Sequence, residues 1–190
     1  MTVSVRGIRI TFLFLIIEIG SGEVGNSEVC TAVRNKLKGN FFGYGLIFFE
    51  GFKGFMLVLV DSDVKVDFYV KDVPEVAWDL IQYATKPLTV IYDDARNLAP
   101  NLIGEDGSVG IRVTSEEFSK QLCFRFRKAI VSTSANISGE PSPASFSEIQ
   151  DEIKQAVDYI VEYRQDEPAG AKPSSILKLG RGGLIKIIRE

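Results

Sequence analysis

Ser108-Val109-Gly110-Ile111-Arg112-Val113 runs straight into Thr114-Ser115-Glu116-Glu117, and this junction decides the fold class. The first part reads as a β-strand. Successive strand side chains point to opposite faces, so Ile111 and Val113 share one face and Arg112 takes the other. Thr114 with Glu117 three residues later has the form of a capping box and predicts a helix start. Phe118, Leu122 and Phe126 then recur at helical spacing along the predicted buried side. A strand that hands over directly to an amphipathic helix is the building unit of α/β folds.

Working outward, Met56-Leu57-Val58-Leu59-Val60 predicts a short strand closed by Asp61-Ser62-Asp63. Pro74 opens a predicted helix whose Val76, Ala77, Leu80, Ile81 and Ala84 share a face, and Pro87 stops it. Leu88 to Tyr92 predicts a β-branched strand, followed by a polar loop with Asp93, Asp94, Asn97 and Gly104. Downstream, Ala129-Ile130-Val131 predicts a strand running into Ser132-Thr133-Ser134-Ala135-Asn136. Ser145-Phe146-Ser147-Glu148 is a second capping box, with Phe146, Ile149, Ile153 and Val157 as the buried face. Asp158 to Tyr163 predicts another strand. The chain closes on a predicted hairpin, Ser175 to Leu179 and Leu184 to Ile188, joined by Gly180-Arg181-Gly182-Gly183. Irregular alternation with an antiparallel end predicts an α/β domain on a mixed sheet rather than a strict doubly wound repeat.

At 190 residues the chain makes one domain, 1–190. Hydrophobic residues at 45% and charged residues at 25% exclude a disordered, collagenous or coiled-coil chain. A net charge of −3 provides no global positive field for nucleic acid, and leaves a local basic patch open. The two cysteines, Cys30 and Cys123, lack disulfide-scaffold or metal-site spacing and read as reduced intracellular thiols, so a cytoplasmic location is expected. Histidine is absent, which removes every mechanism built on an imidazole base or a histidine-ligated metal. What remains is chemistry by ligand positioning and phosphate electrostatics.

The first quarter reads differently. Arg6 and Arg9 precede the apolar run from Ile10 to Ile17, which imitates a secretory signal until Glu18 interrupts it. The run is too short to span a bilayer and reads as a buried strand, so no membrane association is expected. From Asn26 to Phe55, phenylalanines and glycines crowd together without a dinucleotide fingerprint or a P-loop.

The segment from Ser132 to Pro143 leaves an apolar strand with five serine and threonine hydroxyls and an amide. Small hydroxyls and free N–H groups at a strand end can cradle phosphate or carboxylate oxygens, and they equally suit a polar turn before a helix. Arg112, in mid-strand, either meets solvent or faces a hollow where it holds an anion bidentately. Lys172-Pro173-Ser174-Ser175 brings two more hydroxyls to a strand start. Arg189, nearly terminal, closes over an anion or frays. Of the acidic pairs, Glu116/Glu117 suits the positive end of a helix dipole, and Asp93/Asp94 a solvated loop.

Together these residues resemble a family. Gly110-Ile111-Arg112-Val113, Ser132-Thr133-Ser134-Ala135-Asn136-Ile137-Ser138-Gly139, Pro173-Ser174-Ser175-Ile176 and Ile187-Ile188-Arg189, in this order, resemble the YrdC/YciO family of threonylcarbamoyl-AMP synthases. Lys86-Pro87-Leu88-Thr89-Val90 is similar to the family segment before its long loop. The resemblance runs from about Met56 to Glu190. It implies a YrdC-like twisted mixed β-sheet flanked by helices, with a concave, locally positive groove associated with double-stranded RNA. It also implies a reaction joining L-threonine, bicarbonate and ATP into threonylcarbamoyl-AMP with release of pyrophosphate, with Mg²⁺ accompanying ATP. The product would feed the tRNA threonylcarbamoyl-transferase machinery. By the same resemblance Arg112, Ser132 and Ser174 bind L-threonine, with Arg112 on its carboxylate. Ser108, Thr133, Ser134, Asn136 and Ser142 line the nucleotide site, and Arg189 meets the ATP phosphates.

Residues 1–55 depart from the pattern. The family carries there a proline-threonine-aspartate-threonine stretch and a lysine-x-arginine pair, and neither is present; Arg34, Lys36 and Lys38 have the wrong spacing. A reading-frame shift in the gene upstream of Met56 would explain the departure, and the nucleotide sequence tests it. The alternative expectation is a YciO-like protein, or an inactive copy with a damaged half-site, that binds nucleotide or double-stranded RNA without turnover.

Overall fold

A computed structural model of the chain describes residues 2–5, 8–11, 57–99, 102–137, 140–157, 159–168 and 174–190. Most of the expected strand Ile10–Ile17, the Phe/Gly segment, Cys30 and the Lys172-Pro173 entry lie outside the described residues, as does most of the segment assigned to a frame shift. Strands β1 (Thr2–Val5) and β2 (Ile8–Thr11) pair antiparallel as a separate ribbon. The remaining elements follow in order: β3 (Leu57–Val60), α1 (Val66–Tyr69), α2 (Val76–Gln82), β4 (Leu88–Tyr92), β5 (Val109–Val113), α3 (Glu117–Phe126), β6 (Ile130–Ser132), α4 (Asp151–Ala156), β7 (Ser175–Leu179) and β8 (Ile185–Arg189).

The six later strands form one mixed sheet in the order β6-β3-β5-β4-β7-β8. Pairs β3/β5 and β4/β7 are parallel, whereas β3/β6, β4/β5 and β7/β8 are antiparallel. This is the mixed sheet with helices that the pattern predicts. Strand β3 is buried along its whole length, which is why its sequence is an unbroken apolar run rather than an alternating one. Val58, Val60, Val90, Tyr92, Val109, Ile111 and Leu179 supply one face, packed against Val66 and Tyr69 of α1 and Ala77 of α2. On the other face, Leu57, Leu59 and Ile130 meet Phe118, Leu122 and Cys123 of α3. This second helical layer packs on β3 and β6. Continuing along the same face, the register brings Gly110, Arg112 and Thr89 beside it.

Three local expectations are corrected. Helix α3 is capped not by Thr114 but by Glu116, whose carboxylate accepts from the backbone N–H groups of Phe118 at 3.1 Å and Ser119 at 2.7 Å. Thr114 directly follows β5 and is tied to the sheet: it is buried, and its N–H donates to the Val60 carbonyl at 2.9 Å. The second box opens only a 3-10 turn, Phe146–Glu148, without a Ser145 side-chain cap, and α4 starts afterwards with Ile149 buried in front of it. Residues 159–163 form no strand. Tyr159, Val161 and Tyr163 instead pack onto the α3 layer, with the Tyr163 ring stacked on Phe118 at 5.3 Å. Alternate residues there reach the helix, and among the described residues no strand pairs with them.

The terminal hairpin forms as expected, its turn using Gly182 and Gly183 at φ 76° and 80°, where a Cβ is disfavoured. Among the described residues no helix is long and apolar enough to cross a membrane. Replacing Glu116 by alanine removes the acceptor for two buried-end donors of α3. Equilibrium urea unfolding should show a loss of about 1–2 kcal/mol, with a smaller loss for Glu117→Ala.

Candidate functional site

The site follows from the register of four strands. Val90 pairs with Ile111 and Thr89 with Ile176, while Arg189 pairs with Ile176 from the other side. Because β5 runs antiparallel to β4 and β7, its carboxyl end meets their amino ends. Arg112, Thr89 and Ser174 therefore come together although they are far apart in sequence. Arg112 Nε donates to Thr89 Oγ1 at 3.1 Å, and its Nη2 donates to Ser174 Oγ at 2.7 Å. The Thr89 and Ser174 hydroxyls are 3.0 Å apart. Arg189 Nε and Nη2 both donate to the Ser174 carbonyl, at 2.9 and 2.7 Å. Thr89 is fully buried and Ser174 is 3% exposed.

Two guanidinium groups thus converge on one serine, and all of these contacts go to neutral oxygens. Their charge is therefore oriented but not cancelled by them. Arg112 does not simply extend into solvent, and Arg189 is anchored rather than frayed.

The other candidates lie further along the same strands. Ser132 is buried and pairs with Leu57, which also pairs with Gly110. That row is displaced from Arg112 by two strand residues, roughly 7 Å. Glycine between Ser108 and Arg112 leaves the floor of this stripe without a side chain. Ser108 precedes β5, about 13 Å along the strand from Arg112. Its hydroxyl donates to Asp106 Oδ1 at 2.6 Å and its N–H to the same oxygen at 3.1 Å, while Lys178 Nζ lies 2.7 Å from Asp106 Oδ2. Asn136 closes the loop after β6: its Nδ2 donates to the carbonyls of Ile137 at 3.0 Å and Glu140 at 2.8 Å, and its Oδ1 accepts from Ser142 at 3.4 Å. Thr133 is half-buried and Ser134 is exposed at the start of this loop. The structure joins Arg112, Ser174 and Arg189 directly and joins Asn136 to Ser142. It sets Ser108, Ser132, Thr133 and Ser134 nearer the opposite end of the strands.

The family model Sua5/YciO/YrdC, whose description reads "Telomere recombination", matches residues 53–190. The chain belongs to this family. It is 33% identical over 100 residues to a threonylcarbamoyl-AMP synthase of Pseudoalteromonas translucida, across 52% of this chain and 51% of that one. The chain spans about half the length of the curated relatives it matches. Among solved structures it is similar to E. coli YciO, with TM-score 0.59 and 20% identity over 72% of this chain and 65% of that one. It is also similar to P. abyssi Sua5 complexed with L-threonine, with TM-score 0.56 and 21% identity over 78% of this chain and 41% of that one.

In this Sua5/YciO/YrdC sheet, the residues that sequence reasoning missed are Thr89, Asp106 and Lys178. Thr89 is the one polar residue in an apolar β-branched strand, a faint signal that reads first as ordinary strand propensity. The acidic pair Asp93/Asp94 proves to be paired rather than merely solvated: Arg181 Nη2 lies 2.9 Å from Asp94 Oδ1, and Lys178 lies 3.5 Å from Asp93. Lys178 and the Ser108 donors hold the Asp106 carboxyl well below the usual carboxylate range. A carboxyl with a lowered folded pKa contributes stability above its ordinary pKa and loses it as pH falls through the lowered one. Carbon-13 titration should therefore find Asp106 still charged after most carboxylates have protonated. In Lys178→Met its pKa should move upward toward the ordinary value.

Proposed function

We propose that this chain is an L-threonylcarbamoyladenylate synthase, forming threonylcarbamoyl-AMP and pyrophosphate from L-threonine, bicarbonate and ATP. The observation that carries the reading is the convergence of the half-buried Arg112 and the exposed Arg189 on the buried Ser174. The names of the curated relatives and the threonine named with the P. abyssi structure support the same reading.

Arg112 receives the threonine carboxylate, because a planar guanidinium matches two carboxylate oxygens. Ser174 and Ser132 complete the amino-acid end. Arg189 neutralises phosphate charge beside it. Ser108, Thr133, Ser134, Asn136 and Ser142 serve the nucleotide, spread over a length of sheet that an adenylate can cover. The threonine amine and bicarbonate give a carbamate with loss of water, and the carbamate oxygen attacks the α-phosphorus as pyrophosphate leaves; with no histidine in the chain, the contribution of these residues is alignment and charge stabilisation of that step.

Mg²⁺ accompanies the ATP phosphates. Among the described residues no three His, Cys, Asp or Glu side chains group as a metal site. An ATP-bound Mg²⁺ takes most of its ligands from phosphate and water. The product passes to tRNA-modifying partners.

A second reading has its own observation: the family match begins at residue 53, and the amino-terminal family motifs are absent from residues 1–55. In that reading the chain holds nucleotide or double-stranded RNA without turnover. Pyrophosphate release that requires both L-threonine and bicarbonate supports the synthase. RNA binding that weakens steeply with salt, without such release, supports the binding protein. Arg112→Ala should abolish protection of the fold by L-threonine in thermal melts while the unliganded protein stays folded. A normal threonine response in that variant removes the carboxylate assignment.

A further inference from the structure

The register that gathers Thr89, Ile176 and Arg189 into one row also fixes what stands at the far end of the same face. Ile91, Gly110 and Lys178 form the row two residues along. Strand residues two apart share a face, so Lys178 stands on the Thr89 side of the sheet. Asp93 and Ser108 follow one step beyond the strand ends. Lys178 Nζ ties this end together, 3.5 Å from Asp93 Oδ1 and 2.7 Å from Asp106 Oδ2. Two carboxylates thus share one ammonium, and this end gains no net positive charge for a phosphate.

Ser108 has nothing left to donate there. Its hydroxyl gives its proton to Asp106 Oδ1 at 2.6 Å, and its N–H goes to the same oxygen at 3.1 Å. The direction of the hydroxyl bond is fixed. An ionised carboxylate only accepts, and the Lys178 ammonium on Asp106 Oδ2 keeps it ionised. Neighbouring N–H groups also turn inward: Gly104 donates to the Ser108 carbonyl at 2.7 Å, and Gly107 to the Gly104 carbonyl at 2.8 Å. A Cβ on Gly104 would stand 2.8 Å from Asp106 Oδ1 and 3.1 Å from Ser108 Oγ, so the glycine lets the turn close on the carboxylate. Ser108 is half-buried, and among the described residues no group donates to its Oγ. What it presents to a ligand is lone pairs.

We propose that Asp106, held by Lys178, is a positioning residue that leaves Ser108 able only to accept, so that this end of the face binds a hydrogen-bond donor of the nucleoside while the triphosphate lies toward Arg189. The proposal rests on the nucleotide site proposed above. A ribose hydroxyl and the exocyclic amine of adenine each supply such a donor. A phosphate oxygen carries only lone pairs and finds no partner in Ser108. The exposed Arg189 guanidinium stands in the Ile176 row, two rows from Ser108 along the strands, and offers a cation there. The nucleotide therefore has a polarity on the sheet: sugar and base at the start of β5, phosphates at its end.

The experiment is calorimetric titration of the full chain with ATP, with inorganic tripolyphosphate, and with three analogues that each lack one donor: 2′-deoxy-ATP, 3′-deoxy-ATP and purine riboside triphosphate, which lacks the amine. In wild type at least one analogue should bind about tenfold more weakly than ATP, and its identity names the donor that Ser108 meets. Ser108→Ala should bind ATP as weakly as wild type binds that analogue, and should no longer separate the two. Asp106→Ala, which frees the Ser108 proton, should narrow the preference. Tripolyphosphate should bind wild type and Ser108→Ala alike, and Arg189→Ala more weakly. The proposal is overturned by a wild type that prefers none of the three donors, by Ser108→Ala that keeps the preference or loses tripolyphosphate affinity, or by a folded Asp106→Ala that keeps the full preference. If Asp106→Ala does not fold, Ser108→Ala decides the matter. A wild-type chain that binds no ATP sinks the functional reading and the proposal together, and that needs no variant. A chain that shows the preference yet releases no pyrophosphate with L-threonine and bicarbonate fails as a synthase and leaves the proposal standing.

Discussion

Arg112 can stand in an interior strand of the sheet because Thr89 and Ser174 accept its N–H groups. A guanidinium withdrawn from water is costly unless its donors are paired. Hydroxyl oxygens pair them without neutralising the charge. The two hydroxyls therefore fix the direction of the guanidinium without adding a negative charge of their own. The rest of the candidate site is arranged around that fixed group.

The topology makes the cluster possible. A purely parallel sheet would set the carboxyl ends of all strands at one edge, and ligands would gather there in the usual way. Here β4 and β7 run against β5, so strand starts and a strand end share a row. The hairpin partner β8 then returns Arg189 to the same row. The layer built on α3 packs on β3 and β6, and Gly110 carries no side chain beside Arg112. Core packing on the opposite face, from Val58 through Leu179, holds the register on which all of these contacts depend. A slip of one residue would turn Arg112 into the apolar core.

Much of the fold was legible because each element carries its own periodicity. The β3 run, the Pro74-to-Pro87 helix, the Phe118/Leu122 face and the glycine-turned hairpin all follow from local chemistry. The errors arose where one local pattern has two physical solutions. Thr114 and Glu116 both precede a helix, and the strand bond from Thr114 to Val60 left the capping to Glu116. Tyr159, Val161 and Tyr163 alternate as a strand would, yet they alternate against a helix. In the site, Arg112, Ser174 and Arg189 stood out by residue type, whereas Thr89 did not, since a threonine in a strand is unremarkable until its partners are known.

Sequence alone therefore determined the class of fold, the family resemblance, the exclusion of histidine chemistry and the identity of the two convergent arginines, because each depends on composition, short-range spacing or motif order. Only the tertiary structure decided that Thr89 and Ser174 share a row with Arg112 and that Arg189 is anchored to the Ser174 carbonyl. It also decided that Ser108 gives its proton to Asp106. The physical reason is that hydrogen bonds between distant segments depend on strand order and register. Those are settled by the burial of whole faces and not by any residue's neighbours in the chain.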